Sequence, residues 1–185
     1  MNKGLIEKVK KWVEENYENA DHLLRTGYWV KKLDAKASDA LYIAAITHDI
    51  ERAFKKNRKP PVTEFADTDW SNQEYDKWHS ERSAEFVSQF LKKEGAGKDL
   101  IDKTAKLVSH HEHGGWREAD ILRDADSLSF LEVNVDMFIS WIPERLSKEN
   151  VKEKFDYMYK RIGTEKAKEF AKPLYERAVN KLNEV

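Results

Sequence analysis

An adjacent histidine and aspartate, His48-Asp49, close an apolar run that reads Leu-Tyr-Ile-Ala-Ala-Ile-Thr over residues 41–47. An imidazole nitrogen beside a carboxylate oxygen suits a borderline divalent metal better than a hard ion such as Mg²⁺ alone. Taken singly the dipeptide says little, because a histidine at a helix end also compensates the helix dipole. Its neighbours add weight. His22 lies upstream, His79 and the pair His110-His111 lie downstream, and Asp124-Ala-Asp126 follows. Five of the six histidines therefore fall into one ordered series of metal-ligand types.

The elements that must position this series read as helical almost throughout, and no segment alternates apolar and polar residues at period two. Leu5, Val9, Trp12 and Val13 recur at helical spacing and predict an amphipathic helix over residues 4–17. A second begins at His22, with Leu23, Leu24, Trp29, Val30 and Leu33 as its apolar face. Ser38-Asp39 is an N-cap signal for a third, apolar nearly all round and so expected to be buried, ending at His48-Asp49. Asn57, Pro60, Pro61, Asp67 and Asp69 break any pattern over residues 55–71, a length of loop that often serves as a lid. Helices are expected again over 73–94, 99–111 and 117–131, separated by Gly95-Ala-Gly97 and Gly114-Gly115. Past an aromatic stretch to Trp141 and a junction at Pro143 and Ser147, two last helices are expected over 148–162 and 164–183.

Charged residues make up 36% of the chain, yet 33 Lys+Arg nearly cancel 34 Asp+Glu for a net charge of -1. That balance argues against nucleic acid or an anionic membrane as partner. With no cysteine, disulfides, thiolate metal sites and cysteine nucleophiles are excluded. Residues 1–8 have no apolar core like a signal peptide, and no long apolar run occurs, so a soluble, cytoplasmic protein is expected.

Together the pieces resemble the HD-domain superfamily of metal-dependent phosphohydrolases. They are Asp21-His22-Leu-Leu-Arg25, Ala44-Ala-Ile-Thr-His48-Asp49-Ile50-Glu51-Arg52, His79-Ser-Glu-Arg82-Ser-Ala84, Val108-Ser-His110-His111-Glu112 and Asp124-Ala-Asp126-Ser-Leu128. The resemblance spans about residues 20–131 and implies one compact all-α domain over residues 1–185, an HD-type helical bundle with the helices at 148–183 packed on the core. It further implies that His22, His48, Asp49 and Asp126 hold a divalent transition metal (Mn, Fe, Co, Ni or Zn, with Mg admissible). Asp126 is preferred over Asp124 because Ala125-Asp126-Ser127-Leu128 matches the family's Ala-Asp-x-Leu context. His79, His110 and His111 correspond to positions that hold a second ion in two-metal branches and touch substrate phosphate in one-metal branches. The cyclic-dinucleotide phosphodiesterase branch carries Gly-Tyr-Pro after its His-His-Glu, where this chain has His113-Gly-Gly-Trp116, which argues against that activity.

Arg25, Arg52 and Arg82 each follow a histidine of the series by about one helical turn, so all three guanidinium groups could meet a phosphate in one pocket. The plainer alternative is pairing along the helix, Asp21 with Arg25 and Glu85 with Arg82. Lys55, Lys56, Arg58 and Lys59 read as solvated surface, or as the anion-facing side of a lid. Trp12, Trp29, Phe86, Phe90 and Phe138 read as core, whereas Trp70, Trp78 and Trp116 are candidates to line a pocket. Glu51 and Arg52, next to the metal pair, are the expected catalytic residues, with Arg25 and Arg82 binding substrate. Glu51 would move a proton or orient water, unless it faces solvent. Some family members have a carboxylate where Arg52 stands, which argues against kinship with the deoxynucleoside monophosphate and stringent-response hydrolases.

The expected reaction is hydrolysis of a small phosphorylated substrate, such as a nucleotide, by water activated on one or two metal ions. Two other chemistries share the scaffold: an HD-fold di-iron oxygenase, and a non-catalytic nucleotide-binding module.

Overall fold

A computed structural model describes residues 3–54, 59–61 and 69–185. It is an all-α bundle, and no strand occurs among the described residues. The apolar repeat at Leu5, Ile6, Val9 and Val13 forms one buried stripe of α1 (Lys3–Asn16). Helix α2 (Ala20–Leu33) crosses α3 (Asp39–Ala45) at Gly27, where a β-carbon would stand 2.5 Å from Ile46 Cγ2. That missing methyl lets the helices carrying His22 and His48 approach. Ser38 caps α3, its Oγ accepting from the Leu41 amide at 3.2 Å, as expected from its type.

The third helix is shorter than its apolar run predicts, ending three residues before His48. Thr47 Oγ1 donates to the Ile43 carbonyl at 2.7 Å, and the Thr47 amide bonds back to Ala44 rather than Ile43. The chain tightens into turns there and then into a 3₁₀ segment, Ile50–Ala53. This tightening sets His48 and Asp49 side by side.

The remaining elements are α4 (Gln73–Lys93), α5 (Lys98–Val108), α6 (Arg117–Ser129), α7 (Val135–Ile139), α8 (Lys148–Lys160) and α9 (Glu165–Asn183). A π-helical segment, Phe130–Asn134, joins α6 to α7. Helix α5 also stops earlier than expected, so His111 lies on the turn that follows it.

Two apolar clusters fill the bundle. The smaller joins α1 to Leu23, Ile43, Ile46 and Ile50 and to Val87 and Leu91 of α4. The larger gathers Leu41, Leu122, Leu128 and Leu131 with Val151, Phe155, Met158, Ala171 and Leu182, so α8 and α9 share a core with α6. At the roughly 25 cal/mol per Å² of apolar burial, each such leucine contributes about 1.5–3 kcal/mol. Helices α2 and α3 feed both clusters, and the polar residues they bury, His22, Thr26, Thr47 and His48, fall between them. Lys59 is exposed and Pro60 half-buried, whereas Lys55, Lys56, Asn57, Arg58 and Asp67 lie outside the described residues. No helix among the described residues is long and apolar enough to cross a membrane.

Candidate metal centre

Four histidines converge, and each is fixed through the same ring nitrogen. His48 Nδ1–H donates to the Ala45 carbonyl at 2.9 Å, and His111 Nδ1–H to the Val108 carbonyl at 2.8 Å. A carbonyl can only accept, so in both rings Nδ1 carries a proton and Nε2 faces inward. Ser129 Oγ–H donates to the His22 carbonyl at 2.8 Å, leaving its oxygen to accept from His22 Nδ1–H at 2.9 Å. His79 Nδ1–H donates to Glu51 Oε1 at 2.8 Å. Anchoring one nitrogen to fix the other is how proteins orient metal-ligating imidazoles.

Three carboxylates meet those nitrogens. Asp126 Oδ1 lies 3.1 Å from His22 Nε2 and 3.4 Å from His48 Nε2. Asp49 Oδ1 lies 2.6 Å from His79 Nε2, 3.7 Å from His111 Nε2 and 3.9 Å from His48 Nε2. Glu112 Oε1 stands 3.3 Å from His111 Nε2. Three overlapping sets, His22/His48/Asp126, His48/Asp49/His111 and His79/His111/Glu112, each keep their ligand atoms within 4.8 Å of one another.

The donor set passes a direct test of fit. Among the described residues, neither His48 Nε2 nor His111 Nε2 makes a hydrogen bond, although both rings are fully buried. A buried polar nitrogen without a hydrogen bond costs about 1–3 kcal/mol, and a cation can satisfy such a nitrogen once it is deprotonated. Imidazole and carboxylate together can hold a metal ion here.

The electrostatics agree. Burial alone would raise Asp49, but the Arg52 guanidinium, with His79 and His48, holds its carboxyl well below the usual range. Burial acts the same way on Asp126 and is likewise overcome by His48, His22 and Arg161. Burial opposes protonation of His111, yet Glu112 and Asp49 raise its pKa to about 10. His79 is also raised, by Asp49 and Glu51 against burial and Arg52. A raised histidine favours the folded state below about pH 6.5 and stops doing so as pH climbs through the folded value. Metal that enters must displace those protons, so its uptake strengthens as pH rises.

The expected residues therefore divide. His22, His48, Asp49 and Asp126 come together, and His79 and His111 join them. His110 does not: it is exposed, with Nδ1 on the Lys106 carbonyl and its ring edge on Trp116. At the end of α5 the two neighbours point to opposite sides, and only His111 turns inward. Asp124, the alternative to Asp126, is buried elsewhere. It accepts from the Gly163 and Thr164 amides at 2.9 and 2.8 Å and tethers the start of α9. Glu51 is fully buried behind His79, its Oε1 accepting from His79 Nδ1, so it does not face solvent. Arg52 lines the cavity with Nε 3.1 Å from Asp49 Oδ2. Arg82 stacks on Phe86 with Nε 3.7 Å from Glu51, outside the cavity wall. Arg25 turns away, toward Glu132 and Tyr28.

Sequence reasoning missed Glu112 as a ligand, and it expected the helix α8 but not its part in the site. Arg161, at the end of α8, reaches Glu112 Oε2 at 2.8 Å and Asp126 Oδ2 at 3.2 Å. Its neighbours Lys154 and Tyr157 line a cavity of about 590 Å³ that opens from the metal cluster, with Asp76 of α4 and the rings of Trp70, Tyr75, Phe130 and Trp141. Trp70, one of the candidate pocket tryptophans, is in that wall, whereas Trp78 and Trp116 are not. The volume falls within the range of small-molecule sites.

Over residues 6–182 the chain matches the family described as "Domain of unknown function (DUF4202)", and it belongs to that family. No curated protein and no solved structure matches it.

Proposed function

We propose that the protein is a metal-dependent phosphohydrolase acting on the phosphate ester of a small molecule, in keeping with its resemblance to the HD-domain superfamily. The observation that carries the reading is the set of four inward Nε2 atoms, two of them buried and without a hydrogen bond among the described residues, facing three carboxylates. His22, His48, Asp49 and Asp126 would hold one ion. His79, His111 and Glu112 would hold a second, and Asp49 Oδ1 lies beside His79 and His111. Mixed imidazole and carboxylate ligands favour Mn, Fe, Co, Ni or Zn over Mg. Such an ion supplies Lewis acidity, which acidifies water and polarises a phosphoryl oxygen.

The chain's own groups do the rest. Arg52 and Arg161 border the cluster and neutralise charge that grows on non-bridging oxygens. Asp76 faces the cavity, and among the described residues its carboxyl has no hydrogen bond. Burial, with the nearby charge of Glu112, pushes it up to about 6. It is thus the cavity acid able to pass a proton to the departing oxygen. The aromatic walls exclude water from the organic part of the ester.

Metal content of the purified protein, with the double variant His48→Ala/Asp49→Ala as control, is the test. One or two equivalents of transition metal, lost in the variant, followed by Mn²⁺-, Co²⁺- or Ni²⁺-dependent release of phosphate from an ester panel, is the expected result. Protein that takes up no metal on reloading sinks the proposal.

The availability of His79 and His111 for a second ion also keeps a di-iron oxygenase in view. Oxygen uptake confined to iron-loaded protein, without phosphate release, would select it.

A further inference from the structure

The part of the cavity wall built by α8 carries an amine that the metal cluster does not employ. Lys154 Nζ sits among three rings, 5.0 Å from the centroid of Trp70, 5.1 Å from Tyr157 and 5.5 Å from Phe130. Ring faces stabilise an ammonium by about 0.5–2 kcal/mol, but they leave its N–H donors without a conventional acceptor. Among the described residues no carboxylate oxygen lies within 4.0 Å of Nζ, and Nζ makes no hydrogen bond. Glu112 and Asp126 are close enough for their charges to be felt at Lys154, yet both are already engaged by Arg161. The cavity's Arg52 is likewise held, by Asp49. Burial lowers the amine to about 8, so at neutral pH it is still mostly charged.

A cation in a desolvated wall normally carries a carboxylate partner, because an unpaired buried charge is costly. Here the cost is met by ring faces, and the amine itself lines the cavity. Such an amine is ready for an anion that arrives from outside. The rings around it are the surface against which the rest of that molecule must lie.

We infer that Lys154 is the anion receptor of this cavity, donating to the phosphoryl oxygens of a phosphate ester whose organic part packs on Trp70, Phe130 and Tyr157. The inference rests on the phosphohydrolase reading and adds to it the residue that selects for negative charge. Lysine fits the role, since its compact, rotatable ammonium follows a phosphate through several orientations.

The test is calorimetric titration of metal-loaded protein with inorganic phosphate and with phenyl phosphate, comparing the intact chain with Lys154→Met. The variant should keep its metal and bind phosphate at least tenfold more weakly, and phenyl phosphate should bind more tightly than phosphate to the intact chain. Equal phosphate affinity in the two proteins overturns the inference and leaves the hydrolase reading standing. Metal-loaded intact protein that binds neither ligand overturns both. A second measurement needs no substitution: phosphate should protect Lys154 from amine acylation, mapped by mass spectrometry. Labelling of Lys154 that phosphate leaves unchanged counts against the inference even if Lys154→Met fails to fold.

Discussion

The histidine side of the cavity and the side built by α8 hold their polar groups in different ways. On the histidine side every ring has an Nδ1 hydrogen bond to a carbonyl, a serine or Glu51, so its Nε2 is aimed before anything binds. On the α8 side Lys154 has only ring faces around it, and Arg161 spans two carboxylates that would otherwise repel each other. The first arrangement is pre-set for a cation of fixed coordination. The second is charge held in reserve, suited to an anion whose position varies. A metal site gains from rigidity, because its ligand distances are narrow. A phosphate-binding side can do with less.

This contrast can be broken most severely at Arg161. Arg161→Met leaves Glu112 and Asp126 buried with no guanidinium, which should cost about 3–5 kcal/mol, or a fall in Tm of about 10 °C. Metal should restore part of it, since a divalent cation replaces the lost charge. Thermal melts with and without chelator measure both. A smaller effect is expected at Glu51→Gln, which weakens the anchor of His79 without touching the cavity. Metal affinity should fall by roughly tenfold with little change in the melting of chelated protein, as read by competition with a chromogenic chelator. The smallest is expected at His110→Ala, one residue from a ligand yet on the solvent side: a stability change within about 0.5 kcal/mol and unaltered metal content. Loss of metal in that variant would show that the pair at the end of α5 has been assigned in the wrong order.

Much of the bundle can be read from the chain. The spacing of Leu5, Val9 and Val13, the Ser38 cap and the glycines at 95–97 and 114–115 mark element ends within a few residues. The histidine side is also legible, because His22, His48-Asp49, His79, His111 and Asp126 are rare residue types set in recognisable local contexts. What the chain hides is rotation about a helix axis and the ends of helices. His110 and His111 are chemically the same, and only the turn after Val108 decides between them. Arg25 shares a face with His22 in an ideal helix, but Glu132 draws it aside. The α8 side was illegible for another reason. Lys154, Tyr157 and Arg161 stand in a helix crowded with lysine and glutamate, where 36% charged composition makes a functional cation look like solvated surface. Only tertiary packing against α6 turns that face inward.

Arg161 also has a consequence for the order of events in making the protein. A chain leaves the ribosome from its N-terminus, so Asp49, Glu112 and Asp126 are all made before the guanidinium that compensates two of them. Until α8 is made, Glu112 and Asp126 lack the guanidinium that pairs with them, whereas Asp49 already has Arg52 beside it. The charge that stabilises those two acids therefore arrives only with the last helices of the chain.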